Sequence, residues 1–437
     1  MIKDAQGLDV STVSMEAVAE LNRYTEYCLS YDHRAESAIL AAIAADPSSV
    51  LAHTHAAAYY FSQESADTWQ QGIAYLNIAK KEIESANERE KRYFLATEAW
   101  AFKEIDLAVS YCDQIVEAFP QDIFAVQRSQ YHYFYLGDKH NLLDVGEKAL
   151  SSHADNHYLL GMLAFGLEQC RFLASAEKIA RQAVEMSLET GNPDPWAVHA
   201  VAHVMETQNR HEEGIHYLES LSHTWENCNS MLYTHNWWHI ALFYLAKGNI
   251  RKVLSLYDRQ VWGKAQKESP KDQVGAISLL LRLELLGINV GDRWEKVSAY
   301  LRPRLHEHAL PFQDLHYIYA LARSGQRVLA EVMLASMEEY ALQVKLTLRK
   351  SWIEIALPAA KGAIAHAIGD WKTTEKLFKP ILPNLYQIGG SHAQRDLFQK
   401  IYADACQKGL ERTTPIYSFT KRQSQVIHSY PKAIALS

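Results

Sequence analysis

Long apolar segments and paired cysteines are missing from this chain of 437 residues. No uncharged apolar stretch of about 18 residues occurs, and the N-terminal segment MIKDAQGLDVSTVSME has no apolar core of the kind that a secretory signal needs. The five cysteines are odd in number and show no C-x-x-C spacing, which is typical of reduced thiols. These absences predict a soluble cytoplasmic protein that does not contact membranes.

Turn-forming residues and positive charge are also limited. The 19 glycines and 12 prolines are few for a turn-rich β protein, whereas hydrophobic residues make up 48% of the chain and can form a large core. The net charge of −7 gives no general attraction to phosphate backbones, so we expect no nucleic acid partner. No P-loop, G-x-G-x-x-G, G-x-S-x-G or EF-hand motif is present, which argues against nucleotide-dependent and serine hydrolase chemistry.

Apolar residues recur at helical spacing along nearly the whole chain, without convincing strand alternation. Glycine or asparagine separates the helices, because these residues readily take the left-handed conformation that ends a helix. The intervals between Asn209, Gly248, Gly287 and Gly325 are 39, 39 and 38 residues. This repeat predicts an all-α, tetratricopeptide-like helical-hairpin solenoid, an α-α superhelix that can curl around a central pocket. We expect about ten hairpins over residues 1–409 and an irregular C-terminal tail over 410–437.

Several segments resemble one known family. They are NEREKRYFLATEAW, YFYLGD, WAVHAVAHVMETQNRHEEGI, HNWWHIALFYLAKGN, FQDLHYIYAL and IGGSHAQRDLF. In this order, from Asn87 to about Phe398, they are similar to tetratricopeptide repeat protein 38 and its bacterial relatives. The resemblance implies a tetratricopeptide-like solenoid and attaches no reaction to it.

Two His-x-x-x-His pairs form the most unusual feature of the sequence. His199 and His203 make up the first pair, and His235 and His239 make up the second pair, 36 residues later. On a helix, residues four apart share one face. Because 36 residues is close to the length of one hairpin, the pairs are expected on related faces of successive first helices, with the four imidazoles turned towards a shared space.

Three interpretations of the histidines remain open. Neutral imidazoles are ligands for zinc, iron, nickel or copper, and Glu206 adds a carboxylate near His203, so one hypothesis is a divalent transition-metal site. The metal ligands would then be His199, His203, Glu206, His235 and His239. The second hypothesis is a metal-free ligand or catalytic pocket, and the third is a purely structural wall of hydrogen-bonded histidines and tryptophans.

A small-molecule pocket would draw on further residues. The candidate catalytic residues are His203, His239 and His316, because imidazole titrates near neutral pH. Flat apolar walls with an N–H donor, and polar groups that fix a ligand, give the candidate ligand-binding residues Trp196, His199, Trp225, His235, Asn236, Trp238, Glu354 and Arg395.

Three of the polar candidates also have ordinary structural interpretations. Glu354 is expected to be a buried carboxylate on the helix SWIEIALPAA. Arg395 could bind an anion at the glycine turn before it, but Ser391 and Gln394 also have the spacing of a helix capping box. Asp194 is expected mainly as a helix cap before Pro195, with the orientation of a histidine in a neighbouring hairpin as its alternative role.

The leading hypothesis is therefore a solenoid with a His- and Trp-lined concave pocket that binds a small molecule, with catalysis and a metal as further options. The alternative is a tetratricopeptide adaptor whose groove binds a peptide segment of a protein partner. Adaptors that bind acidic C-termini present Lys and Arg on their first helices, whereas His, Trp and Tyr occupy the inward positions here. The sequence does not determine the oligomeric state.

Overall fold

The computed structural model describes residues 1–413, and side chains up to residue 410. The described chain is almost entirely helical, which confirms the all-α prediction. Its only strands are a two-residue pair, β1 (Ile2–Lys3) and β2 (Asp9–Val10), which are antiparallel. No helix within residues 1–413 is both long enough and apolar enough to cross a bilayer.

The α-helices follow one another as helical hairpins. In chain order they are α1 (Met15–Leu29), α2 (Ala35–Ala45), α3 (Val50–Phe61), α4 (Ala66–Glu82), α5 (Glu88–Ala101), α6 (Ile105–Ala118), α7 (Ile123–Leu136), α8 (Lys139–Ala149), α9 (His157–Gln169), α10 (Leu173–Thr190), α11 (Pro195–Thr207), α12 (His211–Leu221), α13 (Ser230–Ala246), α14 (Ile250–Leu256), α15 (Pro270–Leu285), α16 (Arg293–Ser298), α17 (Pro311–Arg323), α18 (Arg327–Gln343), α19 (Leu346–Ser351), α20 (Leu357–Ala367), α21 (Trp371–Phe378) and α22 (His392–Thr413).

Short 3-10 and π-helical segments extend several of these helices. The 3-10 segments are Ile83–Ser85, Leu150–Ser152, Ser222–Trp225, Arg302–His306 and Leu382–Ile388. Two π-helical turns, Tyr257–Val261 and Trp352–Ala356, follow α14 and α19. The second π-helical turn joins α19 directly to α20.

The first helix of each hairpin forms an inner layer. These first helices are α1, α3, α5, α7, α9, α11, α13, α15, α17 and α20. Helix α9 buries all 13 of its residues, whereas its partner α10 buries only 5 of 18. The same contrast holds between α17 and α18. The repeat pattern therefore gives a tetratricopeptide-like α-solenoid in which the first helices are enclosed and the second helices face solvent.

Each first helix ends at a residue with positive φ. At five of the ten ends this residue is glycine, as in Gly137 and Gly248, and at a sixth it is Asn209. The residues at the remaining four ends are Tyr31, Glu64, Lys103 and Arg171. The turns expected at Asn209, Gly248, Gly287 and Gly325 are thus present, because a left-handed residue lets the chain reverse into the second helix.

Hairpins from the first third and the last third of the solenoid come into contact. Glu307 accepts a hydrogen bond from the backbone N–H of Ala66 at 2.8 Å, and Lys345 pairs with Glu104 at 2.7 Å. Each contact joins residues 241 positions apart in the sequence. The last helix, α22, extends four residues into the segment expected to be irregular, and residues 414–437 of that segment lie outside the described residues.

Candidate metal centre

Helices α11 and α13 position the two histidine pairs. Asp194 begins α11 by accepting a hydrogen bond from the Ala197 N–H at 2.9 Å, which is the capping role expected for it. Asn229 begins α13 in the same way, with the Leu232 N–H at 3.0 Å. These caps satisfy amide groups that a helix start otherwise leaves unpaired. They fix where each helix begins and therefore which face carries its histidines.

The four histidines converge on one point between the helices, and we call this set the four-histidine cluster (His199, His203, His235 and His239). One ring nitrogen from each lies within 4.8 Å of those of all the others. His199 Nε2 is 3.0 Å from His203 Nε2 and 3.0 Å from His235 Nε2. His199, His203 and His239 are buried, and His235 is half-buried. The cluster is thus an enclosed group of nitrogen donors.

Hydrogen bonds among the imidazoles cannot account for all of these short nitrogen–nitrogen distances. His199 Nε2 carries either one hydrogen or one lone pair, so it can make a linear hydrogen bond with only one of its two close neighbours. His239 Nε2 is buried and has no hydrogen-bond partner within the described chain. A cation at the centre would accept a lone pair from every one of these nitrogens.

Two glutamates face the outer nitrogens of the cluster. Glu206 Oε2 lies 3.1 Å from His239 Nδ1, and Glu168 Oε2 lies 3.8 Å from His203 Nδ1. A carboxylate at the outer nitrogen fixes the tautomer and the ring orientation of a histidine. Metal-bound histidines usually donate this outer N–H to a carboxylate, a backbone carbonyl oxygen or water.

Glu168 is itself held firmly. His392 Nε2 lies 2.9 Å from its Oε1, and the Thr207 hydroxyl donates to the same oxygen at 3.2 Å. Burial opposes the charged carboxylate, but the hydrogen bond from His392 and the electrostatic influence of the nearby His203 lower the pKa of Glu168 overall. Helix α22, which carries His392, therefore contributes to the centre from the far end of the chain.

The imidazoles of the cluster are neutral near pH 7. Burial lowers the pKa of His239 to about 3, and the nearby Arg282 guanidinium lowers it in the same direction. The pKa values of His199, His203 and His235 also fall well below the usual range, first through burial and then through the mutual repulsion of the imidazoles. Neutral imidazoles have the free lone pairs that metal coordination requires.

Two tryptophans border the cluster. Trp238 stacks on His235 with a centroid distance of 5.2 Å, and Trp196 lies 4.7 Å from His199. Arg282 lies over the Trp238 ring and donates to the Ala393 carbonyl oxygen at 2.7 Å. These side chains shield the four imidazoles from water.

The structure places other candidate residues away from the cluster. Trp225 is fully buried and packs edge-on against Trp237, so its ring is part of the hydrophobic core. Asn236 is fully buried and donates to the Pro195 carbonyl oxygen at 3.5 Å, which joins α13 to the start of α11.

One expectation about a charged residue, Glu354, requires correction. The Glu354 side chain is 59% exposed and lies 4.0 Å from Lys350, because the π-helical turn directs Trp352 and Ile355 into the core and Glu354 outwards. Glu354 is therefore not a buried carboxylate. Arg395 Nη1 turns back onto the carbonyl oxygens of Gly389 and Gly390. Anion binding by Arg395 stays a prediction.

The capping box before Arg395 is present. The Ser391 hydroxyl accepts from the Gln394 N–H at 3.3 Å, and the Gln394 side chain accepts from the Ser391 N–H at 2.9 Å. Asp194 also approaches a histidine of the neighbouring hairpin, with its Oδ2 3.5 Å from His157 Nδ1. The helix caps expected at Ser391 and at Asp194 are thus both confirmed.

His316 does not belong to the four-histidine cluster. Its Nδ1 lies 2.7 Å from the Phe312 carbonyl oxygen, and its ring packs edge-on against Phe312 and Phe398. Burial lowers its pKa to about 4. The structure therefore separates His316 from His203 and His239, with which it was grouped as a catalytic candidate.

Glu168 and His392 contact the cluster, and neither was predicted from the sequence. Glu168 lies three residues before the left-handed Arg171, and Glu206 lies three residues before the left-handed Asn209. This equivalence between successive hairpins is the signal that could have identified Glu168. His392 had no such signal, because its contact with Glu168 depends on the packing of the C-terminal helix.

One cavity of the described chain lies away from the cluster. It has a volume of about 190 Å³ and is bounded by residues of α3 to α7 on one side and residues 309–311, 340–352 and 387 on the other. A second cavity, of about 20 Å³, lies beside Arg89 and Tyr93. None of the four clustered histidines lines either cavity. Neither cavity is the expected His- and Trp-lined pocket, which stays a prediction.

No protein-family model matches the chain. The chain is similar to solved structures of helical-repeat proteins, including Rap protein complexed with competence and sporulation factor, at 10% identity, with a TM-score of 0.41 over 82% of this chain and 99% of that chain. A human IFIT1 dimer with PPP-AAAA matches at 15% identity, with a TM-score of 0.38 over 84% of this chain and 90% of that chain. A human IFIT1 dimer with m7Gppp-AAAA matches at 14% identity, with a TM-score of 0.39 over 94% and 96%.

Proposed function

We propose that this protein is a metal-binding α-solenoid in which His199, His203, His235 and His239 hold one divalent transition-metal ion. The observation that supports this proposal most strongly is the convergence of their ring nitrogens, with two Nε2–Nε2 distances of 3.0 Å and all four nitrogens within 4.8 Å. Tetrahedral coordination with bonds of about 2.0–2.1 Å places nitrogen ligands about 3.3 Å apart. Small side-chain rotations would bring the cluster to that spacing.

The chemistry of the donors favours particular metals. Four neutral imidazoles suit zinc, copper, iron and nickel, whereas magnesium and calcium prefer oxygen ligands. Glu206 and Glu168 orient two of the histidines from outside the cluster, at 3.1 and 3.8 Å. Glu206 is therefore an orienting residue in this proposal rather than a fifth ligand.

A site with four protein ligands is closed. Catalytic zinc sites usually have three protein ligands and one position for water or substrate, whereas structural sites use all four. The proposed metal would therefore join α11 to α13 and stabilise the junction between two hairpins. Catalysis by His203 or His239 would need an additional coordination position.

Metal analysis tests the proposal directly. Protein purified without a metal-affinity tag is dialysed against Zn²⁺ or Co²⁺, and its metal content is measured by mass spectrometry. We expect one equivalent per chain and, for Co²⁺, the intense visible absorption of tetrahedral coordination. At a free-metal concentration of about 100 times the Kd, binding should add about 2.7 kcal/mol to the free energy of unfolding.

Matched variants make the test specific. His199→Gln combined with His235→Gln should abolish uptake, while His216→Gln should retain it, because the His216 side chain is 78% exposed and outside the cluster. Circular dichroism reports whether each variant folds. Clearly substoichiometric content of every transition metal in the wild-type protein, with no uptake on dialysis, would overturn the proposal whatever the variants do.

The other expectations from the sequence are retained as proposals. A small molecule bound next to Trp196 and Trp238, a peptide segment in the groove of an adaptor, cytoplasmic location, the lack of nucleic acid and membrane partners, and kinship with tetratricopeptide repeat protein 38 all belong here. Of the two binding modes, the aromatic border of the cluster favours the small molecule.

A further inference from the structure

The cavity of about 190 Å³ between early and late hairpins of the solenoid has several aromatic side chains in its walls. Its aromatic lining residues include Phe61, Trp69, Trp100, Tyr131, Tyr340 and Trp352. An apolar cavity of about 150 Å³ is large enough to hold one benzene ring. The cavity can therefore hold a single aromatic ring with a small substituent.

One amine, that of Lys103, lies in the wall of this cavity. Lys103 is the left-handed residue after α5, with φ of 59°, a conformation that costs a residue other than glycine about 1–2 kcal/mol. Its ammonium lies 3.6 Å from the centre of the Trp69 ring. Within the described chain it has no hydrogen-bond acceptor and no paired carboxylate at salt-bridge distance. The backbone thus holds an unpaired cation at the cavity wall.

The carboxylate on the same wall, Glu64, already has its partners. The hydroxyls of Tyr131 and Tyr135 donate to its Oε1 at 2.7 and 2.6 Å, and Lys271 lies 3.2 Å from the same oxygen. The Gln313 amide donates to the other oxygen. Glu64 therefore has little remaining capacity to neutralise Lys103.

Two other carboxylates near Lys103, those of Glu307 and Glu104, also have partners. Glu307 pairs with Arg304 at 3.0 Å and accepts from the Ala66 N–H, while Glu104 pairs with Lys345 at 2.7 Å. Burial lowers the pKa of Lys103 to about 8, and the charges of Glu64 and Glu307 oppose this shift. Lys103 is thus mainly protonated at pH 7 and is a cation without an anion.

We propose that this cavity binds a small aromatic carboxylate, with its ring between the tryptophans and its carboxylate on Lys103. The site is separate from the four-histidine cluster and does not depend on a bound metal. The ring would replace poorly hydrated apolar space, and the carboxylate would form a charge-assisted hydrogen bond with the ammonium. Because the ion pair would be partly shielded from water, a carboxylate should bind more tightly than a neutral molecule of the same shape.

Fluorine NMR with 4-fluorobenzoate and its neutral isostere 4-fluorobenzamide tests this site. In the full-length protein we expect saturable binding of both probes, mutual competition, and roughly tenfold tighter binding of the benzoate. Lys103→Met keeps the length of the side chain and removes its charge. It should abolish the preference for the benzoate while leaving benzamide binding nearly unchanged.

Benzamide binding also reports that the cavity of the variant is folded. Lys178→Met, at an exposed lysine on α10, is the matched control and should keep the preference. Equal affinity of the wild-type protein for the two probes would overturn the proposal. So would the absence of saturable benzoate binding at concentrations up to about 10 mM, or an undiminished preference in Lys103→Met.

Discussion

The nitrogens of each imidazole have different environments in the four-histidine cluster. His203 and His239 present one nitrogen to the centre and the other to a carboxylate, Glu168 or Glu206. The spacing of the pairs indicated from the sequence that the four histidines share a face, and the structure brings them together. The sequence did not indicate Glu168 or His392, because a contact between separate helices depends on how the hairpins are rotated against each other.

Replacing Glu168 should weaken metal binding without unfolding the protein. Glu168→Gln keeps the size of the side chain but removes the charge that orients His203, so we expect the metal affinity to fall by roughly 10- to 100-fold. Competition with a chromophoric chelator measures this change. Glu185→Gln, at an exposed position on α10, should have no effect, and an unchanged affinity in Glu168→Gln would contradict the orienting role.

The pH dependence of stability should reflect the buried His316. Its pKa is about 4 in the folded protein, through burial and the nearby Arg282, and about 6.5 when unfolded. Between these values the unfolded state binds a proton that the folded state does not, so the free energy of unfolding falls as the pH falls. The slope is at most about 1.4 kcal/mol per pH unit.

His316→Leu should remove this contribution, which urea unfolding at several pH values between about 7 and 5 can measure. The exposed His216 provides the control, since His216→Leu should leave the slope as in the wild-type protein. The same slope in His316→Leu and wild-type protein would show that His316 does not contribute.

At the scale of the helices, the left-handed residues at the ends of the first helices define the repeat. Asn209 and the glycines predicted their turns, because these residues mark helix ends chemically. Glu64 and Lys103 gave no such signal, because charged residues seldom adopt positive φ. Their conformation is imposed by the packing of the hairpins on either side.

Introducing a glycine at one of these helix ends and removing a glycine at another should have opposite effects on the free energy of unfolding. Arg171 is exposed, has φ of 70°, and its side chain makes no hydrogen bond within the described chain, so Arg171→Gly should raise the free energy of unfolding by about 1 kcal/mol. Gly137→Ala should lower it by about 2 kcal/mol or more, because the added Cβ would lie 2.4 Å from the Tyr386 carbonyl oxygen. Chemical denaturation measures both changes, and a stabilising Gly137→Ala would contradict this account.

At the scale of the whole molecule, early and late hairpins of the solenoid meet. The period of the turns predicted the hairpin array, and the structure confirms it. The contact between distant hairpins could not be predicted, because small rotations between successive hairpins add up over the array and determine which distant residues meet. The cavity with Lys103 in its wall exists only because of this contact.

Removing Glu307 should loosen this contact. Glu307→Ala leaves the buried Arg304 and the Ala66 N–H without a partner, so we expect a loss of about 3–5 kcal/mol in the free energy of unfolding. Amide hydrogen exchange should increase at the start of α4. Glu331→Ala removes an exposed pair with Arg327 and should cost less than about 1 kcal/mol, and equal effects of the two variants would argue against a stabilising role for the contact.

The proposed metal centre is the central claim, and anomalous X-ray diffraction tests it most directly. Crystals of the protein loaded with Zn²⁺ are measured on both sides of the zinc absorption edge. We predict one anomalous peak about 2.0–2.1 Å from a ring nitrogen of each of His199, His203, His235 and His239. Zinc bound elsewhere on the chain, with no peak between these four imidazoles, would contradict the account.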